Sequence, residues 1–147
     1  MTLMTAMTTS ISEVMETMFY LPVEPGGQAS LESCGILSQP CTAGHLTFKG
    51  DVSGSLFIVF PDDVAAEMTQ NFMGETSEDL KDEFISGTVT ETVNMVCGNA
   101  LKKIDSSIAY ELGIPERVSD MESLKKGEVT IINTEFSKIA VGLLLDE

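Results

Sequence analysis

The sequence predicts an α+β fold with antiparallel strands, assembled from two similar helix-and-hairpin halves that make one domain over residues 1–147. Three observations predict it. Helical periodicity occurs twice, each time ahead of strand-like runs. The two helical stretches align: Ile11-Ser-Glu-Val-Met-Glu-Thr-Met-Phe19 lies over Ser86-Gly-Thr-Val-Thr-Glu-Thr-Val-Asn94, matching Val14 with Val89, Glu16 with Glu91 and Thr17 with Thr92. A length of 147 residues, 43% apolar and 21% charged, suits one core that buries roughly two-thirds of the unfolded chain's surface.

Taken in order, Met4, Met7, Ile11, Val14, Met15 and Met18 fall within an arc of ~100°, an amphipathic helix over residues 4–20 that Pro22 and the PGG at 25–27 end. LESCGILSQP and HLTFKGDVSGSLFIVFP follow as strand-like runs, with a turn at Gly50-Asp51 that pairs Leu46-Thr47-Phe48 with Leu56-Phe57-Ile58-Val59-Phe60. Pro61, Asp62 and Asp63 start a helix over 62–73, and Gly74 ends it. Ser77, Glu78, Asp79 and Leu80 open a further helical pattern that reaches Ile104. SIAYELGIP reads as a strand stopped by Pro115, ERVSDMESLKKG as a loop, and EVTIINTEFSKIAVGLLL as a closing hairpin. The repeat continues through these strands without a gap: Gly44-His-Leu-Thr-Phe48 over Gly127-Glu-Val-Thr-Ile131, and Leu56, Ile58 and Phe60 over Ile139, Val141 and Leu143. The helix at 62–73 is then the piece inserted between the halves.

A formal charge of −15, with only eight Lys and Arg to displace counterions, excludes a nucleic-acid partner bound through its phosphates. The same charge repels an anionic membrane surface. No apolar run approaches the ~20 residues that span a bilayer, and MTLMTAMTTSISEVMETM has no basic n-region, so the expectation is a cytoplasmic protein without signal peptide or membrane helix. Cys34, Cys41 and Cys97 lack CxxC spacing and share the chain with a single histidine, His45, which sits in the alternating run HLTFKG. Free thiols in a reducing compartment are expected, with no metal site and no Cys/His or Ser/His/Asp catalytic pair.

The second long helix carries the chemistry. With Glu91 set at zero on a helical wheel, Ile85, Val89, Val93, Val96, Cys97, Ala100 and Ile104 gather around 180° as the core stripe, and Gly87, Asn94, Met95, Gly98 and Lys102 lie near zero, each residue turning by ~100°. Asn99 points elsewhere. In a helix interior each Gly costs about 1 kcal/mol against Ala, and Asn about 0.6. A face selected for helix stability would carry Ala, Lys, Glu or Gln at those places. The spacing Glu-x-x-Asn sets Glu91 and Asn94 one turn apart, so both side chains reach the same small volume outside the helix. Gly98, one turn after Asn94, lets another surface approach the backbone closely, so the constellation is Glu91, Asn94 and Gly98. A carboxamide there can orient a water while the carboxylate engages a cationic partner group.

ETVNMVCGNA, its Glu-x-x-Asn followed by Gly-Asn, the duplicated helix-and-hairpin order and the YELGIP strand together resemble the CheC/CheX class of chemotaxis phosphatases, over most of the chain. The resemblance implies a CheC/CheX-like antiparallel sheet packed with long helices, and dephosphorylation of the aspartyl phosphate of a CheY-like response-regulator receiver. It also implies that Asn94 positions the attacking water and Glu91 engages the receiver's lysine. Gly87, Met95 and Gly98 then become receiver-contact residues. No cofactor of the chain's own is implied, since the divalent ion arrives on the receiver.

The departures from the family pattern refine this. The first helix offers Ser12 and Glu16 but has Phe19 where the Asn belongs, so that copy is expected to be silent. The second has Gly87 at the Asp/Ser place and Gly98 at the last Asn place. A single site with Gly-Asn after it is similar to the CheX type, which implies a homodimer. A catalytically silent binding or switch module of the same fold is the alternative.

Overall fold

In the computed structural model, which describes residues 2–74, 81–124, 127–135 and 137–146, the first helix, α1, spans Leu3–Phe19. Thr2 caps it, its Oγ1 accepting from the Thr5 N–H at 3.1 Å, which satisfies one of the unpaired donors of a helix start. Strands β1 (Glu24–Ser30), β2 (Cys41–Gly50) and β3 (Gly54–Pro61) follow, then α2 (Asp62–Met73) and α3 (Asp82–Ile104). The chain continues through β4 (Tyr110–Leu112), β5 (Glu116–Arg117), β6 (Glu128–Asn133) and β7 (Lys138–Leu145). The expected helix start at Ser77–Leu80 lies outside the described residues.

The strands form one antiparallel sheet in the order β1-β6-β7-β3-β2-β4, with β5 also on β2. The order reads the same from both edges once halves are exchanged. β3 and β7 pair at the centre, Ile58 opposite Val141, and each half's first strand crosses to the other half's hairpin. Alternate strand residues sort the sheet into two faces. Leu46, Phe48, Leu56, Ile58, Phe60, Ile132, Ile139 and Val141 join the core under the three helices. Ala43, Val59, Val129, Ile131 and Ala140 form a smaller cluster on the other side, closed by Leu31 and Ile36.

That sorting corrects the strand part of the repeat. Leu46 and Phe48 face the helices, whereas Val129 and Ile131, aligned with them in sequence, face the opposite side. The β6 residue that joins the core on the helix side is Ile132. The second hairpin closes across residues 134–137 between Asn133 and Lys138, while the Thr47–Ser55 pair of the first is still separated by residues 48–54. An ungapped alignment therefore slips by an odd number of residues, and every odd slip in a strand exchanges faces.

Three further expectations change. β1 runs through EPGGQAS, which read as a helix-ending loop, while LESCGILSQP forms a turn and a short 3-10 helix at Ile36–Ser38 instead of a strand. β1 is an edge strand, where Pro25 is tolerated, and its register shifts between Pro25 and Gln28 around Gly27 at φ 89°, a bulge. Pro115 interrupts the strand after YEL without stopping it: β4 and β5 both lie along β2, bridged by the Gly113 N–H donating to the Thr47 carbonyl at 2.7 Å. In α1 the core stripe ends on Phe19, which is 1% exposed, and Met18 is 39% exposed. Phe19 is covered by Phe72 of α2, edge-on with ring centroids 6.1 Å apart, and Tyr20 lies 74% exposed. Asn71 of α2 donates to the Phe19 carbonyl at 2.7 Å, satisfying an end carbonyl where Tyr20 turns left-handed at φ 57°.

α3 crosses the sheet at Gly44. A Cβ there would sit 2.7 Å from Val93 Cγ2 and 3.3 Å from Val89 Cγ1, so the helix seats directly on strand backbone. Gly44→Val should cost about 1–3 kcal/mol by overpacking this seat, read as a lower midpoint of chemical denaturation. Cys97, on the same buried stripe, has its thiol pushed up to about 12 by burial. In the folded chain it should resist alkylation at about pH 8, where only thiolate reacts, and label fully in denaturant, as read by mass.

Candidate functional site on the outward face of helix α3

The acidic first turn of α3, Asp82 and Glu83, and its basic last turn, Lys102 and Lys103, complement the helix dipole and offset part of the cost of its Gly and Asn residues. Arg117 of β5 donates through Nη1 to Asp82 Oδ2 at 2.6 Å and to Ser86 Oγ at 2.7 Å, tying the helix start to the sheet edge. At the other end Lys103 pairs with Glu13 of α1 at 2.9 Å. Both pairs are solvent-exposed, so each contributes at most about 1 kcal/mol.

Val89, Val93, Val96, Cys97 and Ala100 of the expected core stripe are 0% exposed, and Ile85 and Ile104 are half-buried at its ends. The stripe is broader than the wheel suggested. Thr92 and Leu101 are also fully buried, because α1 packs along the flank of α3 as well as the sheet beneath it. A buried Thr is permitted here since its Oγ1 donates to the Thr88 carbonyl at 2.7 Å.

Opposite the stripe, Glu91 is exposed and Asn94 half-buried. The surrounding hydroxyls are already occupied: Thr88 donates to the Phe84 carbonyl, Thr90 to the Ser86 carbonyl, and Ser86 bonds Arg117. Among the described residues the Glu91 carboxylate and the Asn94 carboxamide have no hydrogen-bond or ion-pair partner. One turn apart on the same face, both are free for something outside the chain.

The glycines on this face behave unlike Gly44. A Cβ on Gly87 meets nothing within 4 Å, and one on Gly98 meets only Leu112 Cδ1 at 3.8 Å. Among the described residues no packing requires them, so helix stability alone would favour Ala at both positions. Met95 is half-buried, leaning on the edge of the helical core. Asn99 is exposed, away from Asn94, as its place on the wheel requires.

One feature had no sequence counterpart. A cleft of about 230 Å³ opens between the C-terminal ends of α1 and α2 and the first half of α3, lined by Phe19, Phe72, Met73, Glu83, Phe84, Gly87, Thr88, Glu91 and Met95. It includes Gly87, Glu91 and Met95 of the expected surface but not Asn94 or Gly98. The available signal was the apolar pair Phe72-Met73 at the end of α2, 53% and 41% exposed. His45 lies on β2, opposite Phe57 and Glu116, and is not among the residues that line this cleft. Among the described residues no group of three or more His, Cys, Asp or Glu is placed to hold a metal ion, and no helix is long and apolar enough to cross a membrane.

The fold agrees with that of known proteins. The fold matches that of the chemotaxis protein CheX from Vibrio vulnificus, with TM-score 0.78 and 21% identity over 98% of this chain and 99% of that one. It also matches CheX in the CheX-CheY-BeF3-Mg complex from Borrelia burgdorferi, with TM-score 0.76 and 20% identity over 99% of both chains. A more remote match is Thermotoga maritima FliY, with TM-score 0.60 and 13% identity over 95% of this chain and 84% of that one. At these identities the structures establish the fold. No curated protein sequence matches the chain. The family model described as chemotaxis phosphatase CheX matches residues 42–137, a span that runs from β2 through α2 and the whole of α3, with Glu91 and Asn94, to β6, and leaves out α1, β1 and β7. The chain belongs to the chemotaxis phosphatase CheX family.

Proposed function

We propose that this chain removes the phosphoryl group from the aspartate of a CheY-like receiver, acting in the cytoplasm as a homodimer with one working site per subunit. The observation that carries the reading is the pairing of Glu91 and Asn94: one turn apart, outward, without a bonding partner among the described residues, and flanked by glycines that no described residue packs against closely. Membership of the CheX family and the likeness to a CheX solved with CheY support it.

The chemistry asks little of the protein beyond placement. An aspartyl phosphate is an acyl phosphate with a carboxylate as leaving group, so hydrolysis needs a water held in line with the phosphorus. The Asn94 carboxamide oxygen accepts a hydrogen bond from that water and aims its lone pair. Glu91, 4.5 Å along the helix axis at ~1.5 Å per residue, pairs with the receiver's lysine and sets the register of the two proteins. The open backbone at Gly98 lets the receiver approach closely enough for a short carboxamide to reach the water. The divalent ion belongs to the receiver.

Asn94→Ala should lower receiver dephosphorylation about 100-fold, the low end of what a group acting on the attacking water contributes. It should leave stability equal or higher by about 0.5 kcal/mol, because Ala is the better helix former. Parent-like turnover in that variant means that another group positions the water.

The first helix provides the control. Glu16 is exposed on α1, but the place of Asn94 is held there by Phe19, a buried ring that can neither donate nor accept a hydrogen bond. Glu16→Ala should leave turnover unchanged, while Glu91→Ala should weaken receiver binding and turnover together. Equal losses from both would indicate two working sites per chain.

The alternative is a catalytically silent receiver-binding or switch module. A shared fold does not by itself carry a shared chemistry, so the likeness to solved structures supports this reading equally. A silent module binds receiver without accelerating phosphate loss, and Asn94→Ala then changes nothing.

A further inference from the structure

Apart from Glu91, the lining of the apolar cleft takes no part in the hydrolytic scheme. Where the first half would carry its own Asn, Phe19 turns inward and meets Phe72 edge-on, so the residue that silences the first copy also lines the cleft. Along α3 the lining runs Glu83, Gly87, Glu91, Met95 at four-residue intervals, a single row on one helix face. The two carboxylates stand ~12 Å apart along the axis at ~1.5 Å per residue, and Gly87 leaves a gap midway between them. Among the described residues neither carboxylate has an ion-pair or hydrogen-bond partner. Phe72, Met73 and Phe84 border the gap, 53%, 41% and 36% exposed.

We propose that this cleft is the receiver's second anchor: it takes an apolar side chain of the phosphorylated receiver, flanked by two basic groups that pair with Glu83 and Glu91. The proposal rests on the reading of Glu91 as the lysine-engaging residue. Charge and shape select this occupant. The acidic row fits a basic surface, which a second copy of a chain with net charge −15 is poorly suited to present. The gap over Gly87 admits a side chain that any larger residue would exclude, and such a buried apolar anchor inside a charged rim is the usual arrangement of an energetically dominant contact. Because Glu91 belongs to both surfaces, filling the cleft fixes where Asn94 falls on the receiver. Phe72, Phe84 and Gly87 thereby act as specificity residues and touch no reacting atom.

The test is the affinity of the parent chain, Gly87→Leu, Phe72→Asp and Asn94→Ala for a CheY-type receiver carrying beryllofluoride and Mg²⁺, with sedimentation of each variant. A Cβ on Gly87 meets open space and leucine favours helix, so that variant keeps its fold. Phe72→Asp attacks the same cleft from another element. Both cleft variants should bind at least about tenfold more weakly, a single-contact loss, and Asn94→Ala should bind within about threefold of the parent. Parent-like affinity in both cleft variants overturns the proposal, and so does a changed oligomeric state with receiver affinity intact, which assigns the cleft to a second copy. A parent that binds the loaded receiver but hydrolyses no receiver phosphate overturns the catalytic reading alone, with the cleft still judged by affinity. A parent that binds no loaded receiver overturns both.

Discussion

The contact on which the arrangement depends is the seat of α3 over Gly44. With no side chain on that strand residue, Val89 and Val93 come down onto the β2 backbone, and the helix has one rotation that fits. That rotation sends Glu91 and Asn94 outward. α1 lies antiparallel along the flank of α3, as the Glu13–Lys103 pair at one end and the shared Phe19–Gly87 cleft at the other require, and it buries Thr92 and Leu101. Two sides of α3 are thus committed to packing and the side that carries Glu91 is left facing outward.

The exposed side is composed against helix stability. Gly87 and Gly98 each sacrifice about 1 kcal/mol relative to Ala, and Asn94 about 0.6. A helix in isolation would be marginal with such residues, but α3 draws its stability from burial of its valine stripe, as most helices in proteins do. The threonines on its flanks return their hydroxyls to the preceding turn, which removes them from competition for a ligand. Each half has such a helix, and only α3 carries a carboxamide at this place. In the other copy an inward aromatic at position 19 gave α2 something to pack on.

Much of this was legible in the sequence because it is periodic. The core stripe of α3, the outward place of Glu91 and Asn94 and the bounds of α2 follow from helical spacing and from Pro61 and Gly74. β1 was hidden because Pro and Gly are turn residues everywhere except on a bulged sheet edge, a property of position in the sheet. The slip between β2 and β6 was hidden because apolar residues occur on both faces of a sheet covered on both sides, so alternation does not reveal which face a residue takes. The cleft was hidden for a simpler reason. Its walls come from three helices, and only the path of α2 brings Phe72 to Phe19.

The most direct measurement of the central claim is release of phosphate from a labelled phosphorylated receiver, with this chain present at well below stoichiometric amounts. The account predicts multiple turnovers per chain and a release rate clearly above the receiver's own. Binding of the phosphorylated receiver with no acceleration of phosphate loss would contradict it, and would leave the outward face of α3 as a recognition surface alone.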